Sequence, residues 1–283
     1  MPKENGKKSK EKYEGRPMTQ FIAEIARLLR VRENLTQEAL GDQIGYTGSA
    51  ISAMETCAQP VSDRMLEGLE QVIGKGLGIF AASRKYVLME KYPVRFREFS
   101  RMEATAYTIS SYETLVVDGL FQTEAYARAL MSAGYPPEPK AKLEELVEAR
   151  LARRALFDRD PTAMIELILE ESVLRRPFGS WEIMRDQLNS LVEDAERINV
   201  TVQILPLDRG LTGAYAGACG PMKLVETEDH DHVVYLEVED EGMLVSDRVK
   251  VSRLAQRYAK IRAQALSPDE SLCLIKQLAG EWK

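Results

Sequence analysis

The chain has 283 residues, of which 45% are hydrophobic and 29% charged, and a formal net charge of −6. A domain takes ~100–200 residues, so about two domains are expected. No apolar run approaches the ~20 residues of a membrane span, and the start, MPKENGKKSKEKYEGR, lacks the apolar core of a signal peptide. Cys57, Cys219 and Cys273 are scattered and form no CxxC, a usage that fits a reducing cytoplasm rather than a disulfide scaffold.

Residues 1–17 are lysine-rich with no apolar period and are expected to be a disordered basic arm, either tracking phosphates or solubilising the chain. A helix is predicted from about Met18 to Glu33, with Phe21, Ile25, Leu28 and Leu29 as its buried stripe. Arg27, Arg30 and Arg32 lie off that stripe, where they would reach a nucleic-acid backbone. From Thr36 to Glu55 the sequence divides into two short helices around a corner. Thr36 caps the first, whose Leu40 and Ile44 face the same side. Gly45 tolerates the turn, Thr47 caps the second helix, and Ile51 and Met54 point inward. A fourth helix begins near Ser62, with Val61 as a staple and Leu66, Leu69 and Ile73 inward. Pro60 breaks the chain ahead of it, and GKGLG (74–78) is the expected linker closing the domain.

LLRVRENLTQEALG (28–41) and YTGSAISAME (46–55) resemble the repressor-type helix-turn-helix of the lambda-repressor and Xre families. The resemblance implies a second helix lying in the major groove of double-stranded DNA. It gives Gln37, Thr47, Gly48, Ser49, Ser52 and Ala53 as DNA-binding residues, and Arg27, off the stripe of the first helix, joins them as a backbone contact. In such repressors the position of Gln37 contacts phosphate and buttresses the recognition helix. The recognition helix here offers only short side chains, which make single hydrogen bonds or methyl contacts but no bidentate amide pairs with adenine. The helix-turn-helix also carries more acidic than basic residues, so weak binding as a monomer is expected.

Further along, Val116 and Val117 end an extended segment, and Thr123 caps a helix over Glu124–Ser132. A second helix over about 140–157 is read with Leu143, Leu146, Val147 and Leu151 inward and Arg150, Arg153 and Arg154 outward, as a solvated face or an anion-binding cluster. MIELILEES (164–172), the amphipathic helix 181–198 and VTVQILPL (200–207) give strand–helix–strand, implying a parallel pair. GPMKLVET (220–227) and HVVYLEVE (232–239) read as two more strands, expected to form an antiparallel hairpin. A long helix over 247–266 and a last one from Ser267 to Trp282 follow. GLFQTEAYARALMSAG (119–134) strongly resembles a signature found downstream of the helix-turn-helix in WhiJ-type, antitoxin-like actinobacterial regulators. The resemblance implies a small acidic partner protein encoded nearby.

No catalytic constellation stands out. His230 and His232 suit a polar hairpin tip better than a metal, the glycines of RGLTGAYAGACG fit neither GxGxxG nor a P-loop, and Glu171 is expected to cap or to pair with Arg175 or Arg176. Cys57 reads as a tolerated small residue rather than a redox switch. The fold expected is a mainly α N-terminal helix-turn-helix bundle over 18–76 and a C-terminal α+β domain with a small mixed sheet over 77–283, helical at 79–160 and α+β at 163–283. The function expected is a cytoplasmic, homodimeric, sequence-specific transcriptional regulator and not an enzyme, with no cofactor or metal. It would be controlled by a ligand or by the partner protein. The alternative is a ligand or protein receptor whose DNA binding is weak or partner-dependent.

Overall fold

The computed structural model describes residues 17–59, 61–92, 94–213, 215–238 and 241–281. The basic arm expected over 1–17 lies outside the described residues but for Pro17, as do Pro60 and Trp282. The chain divides into two compact units between Arg97 and Glu98.

In the first unit, helix α1 (Pro17–Arg32) is followed by α2 (Gln37–Ile44), α3 (Gly48–Glu55) and α4 (Asp63–Leu69), then a five-residue π turn, Glu70–Gly74, and α5 (Ile79–Lys91). Leu40, Ile44, Ile51, Met54, Leu66, Leu69 and Ile73 enter one core with Val61, as their spacing predicts. The stripe predicted on α1 is displaced. Ile22, Ala23 and Ala26 are buried and Ile25 and Leu29 only partly, whereas Phe21 and Leu28 are more than half exposed. The small alanines explain the rotation: they let α1 approach its neighbours closely, and the face carrying Phe21 and Leu28 turns to solvent.

The glycine run 74–78 does not end this unit. Phe80 and Val87 of α5 belong to the same core as Ile22 and Leu40. Two carboxylates bind the ends together. Glu70 accepts from the backbone N–H of Gly78, Phe80 and Ala81, which caps α5. Glu90 accepts from the N–H of Met18 and Thr19 and from the Thr19 hydroxyl, which caps α1. Each satisfies donors that a helix N-terminus leaves open, and the negative charge suits the positive end of the dipole.

Helix α6 (Val94–Thr105) leads into the second unit, which is built on a six-stranded mixed sheet. Its strands are β1 (Thr108–Glu113), β2 (Met164–Glu170), β3 (Val200–Leu205), β4 (Met222–Glu226), β5 (His232–Val238) and β6 (Glu241–Val245), in the order β3-β2-β1-β4-β5-β6. The first three are parallel, and β4, β5 and β6 join antiparallel. The expected parallel pair and hairpin are both present, so the α+β reading holds. β1, which joins the parallel pair to the hairpin, falls inside the stretch 79–160 expected to be helical, and β6 adds an edge strand where the pattern marked none. Leu167, Ile168 and Leu169 are all buried, as a central parallel strand covered on both faces requires.

The connection from β1 to β2 carries α7 (Glu124–Ser132) and α8 (Lys140–Ala152), and that from β2 to β3 carries α9 (Glu171–Arg175) and α10 (Trp181–Ala195). Helix α11 (Arg248–Gln264) covers one sheet face through Val251, Tyr258 and Ile261, against Tyr112, Ile168 and Val234. Helix α12 (Pro268–Glu281) packs on α10 and on β3. The β3 edge is closed there: the Ile204 N–H donates to Ser271 Oγ at 2.9 Å, and the Leu266 N–H to the Ile204 carbonyl at 2.8 Å. Among the described residues, no helix is long and apolar enough to cross a membrane.

Candidate nucleic-acid interface

Helices α2 and α3 are joined by three residues, Gly45, Tyr46 and Thr47. Gly45 takes φ +76°, the left-handed region where glycine carries no Cβ penalty, and its N–H donates to the Gly41 carbonyl. A Cβ on Gly41 would lie 2.6 Å from the Tyr46 carbonyl oxygen and 3.0 Å from the Thr47 carbonyl carbon, so only glycine allows the turn to fold back on α2. The corner is also tied down from outside, because the Tyr46 hydroxyl and Ser62 Oγ lie 2.9 Å apart. Ser62 also caps α4 through the Met65 N–H.

Thr47 Oγ1 accepts from the Ala50 N–H at 3.2 Å, the capping that the sequence predicts for α3. Ile51 and Met54 bury the back of this helix. Thr47, Ser49 and Thr56 are exposed, and Ser52 and Ala53 partly so. Gly48 is partly buried because it packs against Glu38: a Cβ there would sit 2.9 Å from Glu38 Cγ. Of the five residues predicted here, Thr47 caps the helix and Gly48, Ser49, Ser52 and Ala53 lie on it, with Ser49 exposed and Gly48 a packing position.

The far end of α3 is locked by a buried ion pair. Glu55, 3% exposed, accepts from Arg30 Nε at 2.6 Å and Nη2 at 2.8 Å, and from Gln37 Nε2 at 2.8 Å. Arg30 also donates to the Leu35 carbonyl at 2.8 Å. The hydrogen bonds it donates to Glu55 hold the Arg30 guanidinium above the usual arginine range, against its desolvation. One carboxylate thus fixes α1, α2 and α3 relative to each other. Arg30, read as a phosphate contact, is instead internal, since a bidentate acid partner from α3 draws it inward. Gln37 is the buttress, spending its amide on Glu55. Arg27 is exposed on α1 and makes no hydrogen bond or ion pair with α3. Arg64, not among the predicted contacts, is exposed near the corner, its Nη2 3.8 Å from where a Gly45 Cβ would stand. Cys57 follows with φ +55° and is partly buried; burial pushes its thiol up, away from the reactive thiolate.

The second unit holds a different polar centre. Lys223 of β4 donates to Glu113 and to Asp118, with all three side chains largely buried. Arg153 clamps Glu103 at 2.7 and 2.6 Å and lies 3.9 Å from Asp118. Burial opposes the Asp118 charge, yet Lys223 and Arg153 hold this carboxyl well below the usual range. Burial likewise opposes the charge of Lys223, but Asp118 and Glu113 hold it above the usual lysine range. At Glu113 burial wins, and its carboxyl is pushed up to about 7 despite Lys223.

The GLFQT stretch organises this centre. Asp118 accepts from the Leu120 N–H, Gln122 bridges the Val117 carbonyl and Arg150, and Thr123 caps α7. Gln187 of α10 clasps the same stretch through the Thr123 N–H and the Phe121 carbonyl. Arg150, Arg153 and Arg154, expected outward, therefore point inward. Arg154, in the 3-10 turn that follows α8, pairs with Asp194 at 2.8 Å. Their acidic and amide partners come from distant segments, which a charge pattern along one helix does not reveal.

Among the described residues, no group of three His, Cys, Asp or Glu is placed to hold a metal ion. His230 Nδ1 lies 2.7 Å from Glu226 Oε1 at the β4–β5 hairpin. Glu171 pairs with Arg175 at 2.7 Å.

The molecule is thus a helical unit that presents a locked helix pair, joined to an α+β unit with a buried ionic centre. The family described as "Domain of unknown function (DUF5753)" matches residues 96–277, and the chain belongs to it. No curated protein and no solved structure matches.

Proposed function

We propose that this chain is a sequence-specific DNA-binding transcriptional regulator of the lambda-repressor and Xre helix-turn-helix type. In this reading α3 enters the major groove and the DUF5753 unit governs when it does so. The observation that carries the reading is the presentation of α3. Its back is buried, its N-terminus is capped, its C-terminus is fixed by Arg30–Glu55–Gln37, and Thr47, Ser49 and Ser52 line its outer side. A reading helix needs that rigidity, because base contacts tolerate little positional error. Arg27 and Arg64 are free to meet phosphate, and the short side chains let the helix approach closely and read groove shape.

Binding as a homodimer would offset the acidity of the unit and would give two half-sites about one turn (~34 Å) apart. Cytoplasmic location, absence of enzymatic activity, and antitoxin-like control by a ligand or a small acidic partner belong to the same reading. A second reading, a receptor whose DNA binding is weak, is favoured by the exposed acids Glu38 and Asp42 on α2. Selection of bound duplexes from a random pool by the full-length protein separates the two. A two-fold symmetric motif supports the dimeric regulator; recovery of no motif by folded protein favours the receptor.

A further inference from the structure

Three cations enter the polar centre of the second unit, and two are committed. Lys223 is held by Glu113 and Asp118, and Arg153 by Glu103. Arg150 differs. Among the described residues no carboxylate lies within ion-pair distance of its guanidinium, whose one hydrogen bond goes to a neutral acceptor, Gln122 Oε1, at 2.9 Å. Gln122 is itself fixed by the Val117 carbonyl at 2.7 Å, so this bond positions the guanidinium. The guanidinium also lies against Gly119, where a Cβ would stand 2.7 Å from its Nη1. A long side chain that would otherwise be free in solvent is thus held in one place.

The charges around it are Arg153, Asp118, Glu103 and Glu237. Asp118 and Glu103 are spent on Lys223 and Arg153, and Glu237 is exposed on β5. Burial and the like charge of Arg153 pull the Arg150 guanidinium down to about 10, the signature of a cation without its own counter-ion. The side chain is half-buried, and stripping part of a guanidinium's solvation is unfavourable unless an anion pairs it. Its planar fork offers five donors, of which one is used internally, and the remainder match an oxyanion.

We propose that the DUF5753 unit binds a small oxyanion, a carboxylate or phosphate group, at the guanidinium of Arg150. Partial burial admits a compact group and disfavours a flat macromolecular surface. The site lies in the second unit and does not depend on the DNA reading, which has its own readout.

The test is thermal unfolding of the full chain titrated with inorganic phosphate and, separately, acetate, each at constant ionic strength. The expected result is a saturable rise in Tm with at least one anion, and an affinity about tenfold or more weaker in Arg150→Gln. Saturation by acetate alone marks a carboxylate ligand, and by phosphate alone a phosphate-bearing one. A rise that does not saturate, or that is identical in Arg150→Gln, is a general salt effect and overturns the proposal. Should Arg150→Gln fail to fold, Glu237→Gln decides. Removing that exposed competing charge tightens anion binding if the site is at Arg150, and unchanged affinity overturns it.

Discussion

Replacing Glu55 with alanine should uncouple three helices at once. The carboxylate is 3% exposed and the Arg30 side chain 12%, so solvent screens the pair little. Breaking a buried pair by removing one partner costs about 3–5 kcal/mol, because the other charge is left uncompensated. Arg30 keeps its bond to the Leu35 carbonyl, which places the loss near the lower bound, about 3 kcal/mol. Alanine is the best helix former, so the loss does not come from helix propensity. Arg30→Ala removes the same interaction from the other side. The double variant should therefore be little worse than either single one, with a coupling energy close to the cost of one single variant, about 3 kcal/mol. Hydrogen exchange of the amides of Ile22, Leu40 and Ile51 in the full-length protein reads this unit alone. Additive effects, with coupling below about 0.5 kcal/mol, would refute the claim that this pair fixes α3.

Two further outcomes follow from local geometry. Gly41→Ala places a Cβ against backbone at 2.6 Å and should destabilise the first unit by about 3 kcal/mol, read as a lower urea midpoint at constant slope. Glu113 carries a pH dependence whose sign is fixed by its raised pKa. Between the ordinary carboxylate value and about 7 the folded chain holds a proton that the unfolded chain has released. Its contribution is therefore complete at low pH and is lost as pH rises to 7, by about 3 kcal/mol at most. Glu113→Gln should flatten that slope in urea unfolding followed across pH; an unchanged slope would place the titration elsewhere.

Much of the first unit was legible because caps and corners are local chemistry. Thr36, Gly45, Thr47 and Ser62 act where their residue types predict. The stripe of α1 was not legible, since apolarity favoured Phe21 and Leu28 while close packing selected Ala23 and Ala26. The sheet core read well where apolar runs were continuous, as in β2 and β3. β1, TISSYE, escaped notice because its serines and glutamate break the apolar pattern. Its neighbours β2 and β4 supply the pairing that makes it a strand. The ionic centre was the least legible, because Glu103, Asp118, Arg153 and Lys223 are brought together only by the fold. The glycine of GLFQT carried a hint. Its Cβ would collide with two guanidinium groups, a reason for glycine other than a turn.

The measurement that bears most directly on the account is binding of the wild-type protein and Ser49→Glu to a duplex recovered by selection. Ser49 is exposed on α3 and makes no packing contribution to its buried side, so the variant should fold and unfold like wild type. The account predicts that a carboxylate against the groove abolishes binding, while wild-type affinity falls steeply with salt as phosphate contacts require. Equal affinity for both proteins would contradict it, and would mean that α3 is not the element that reads DNA.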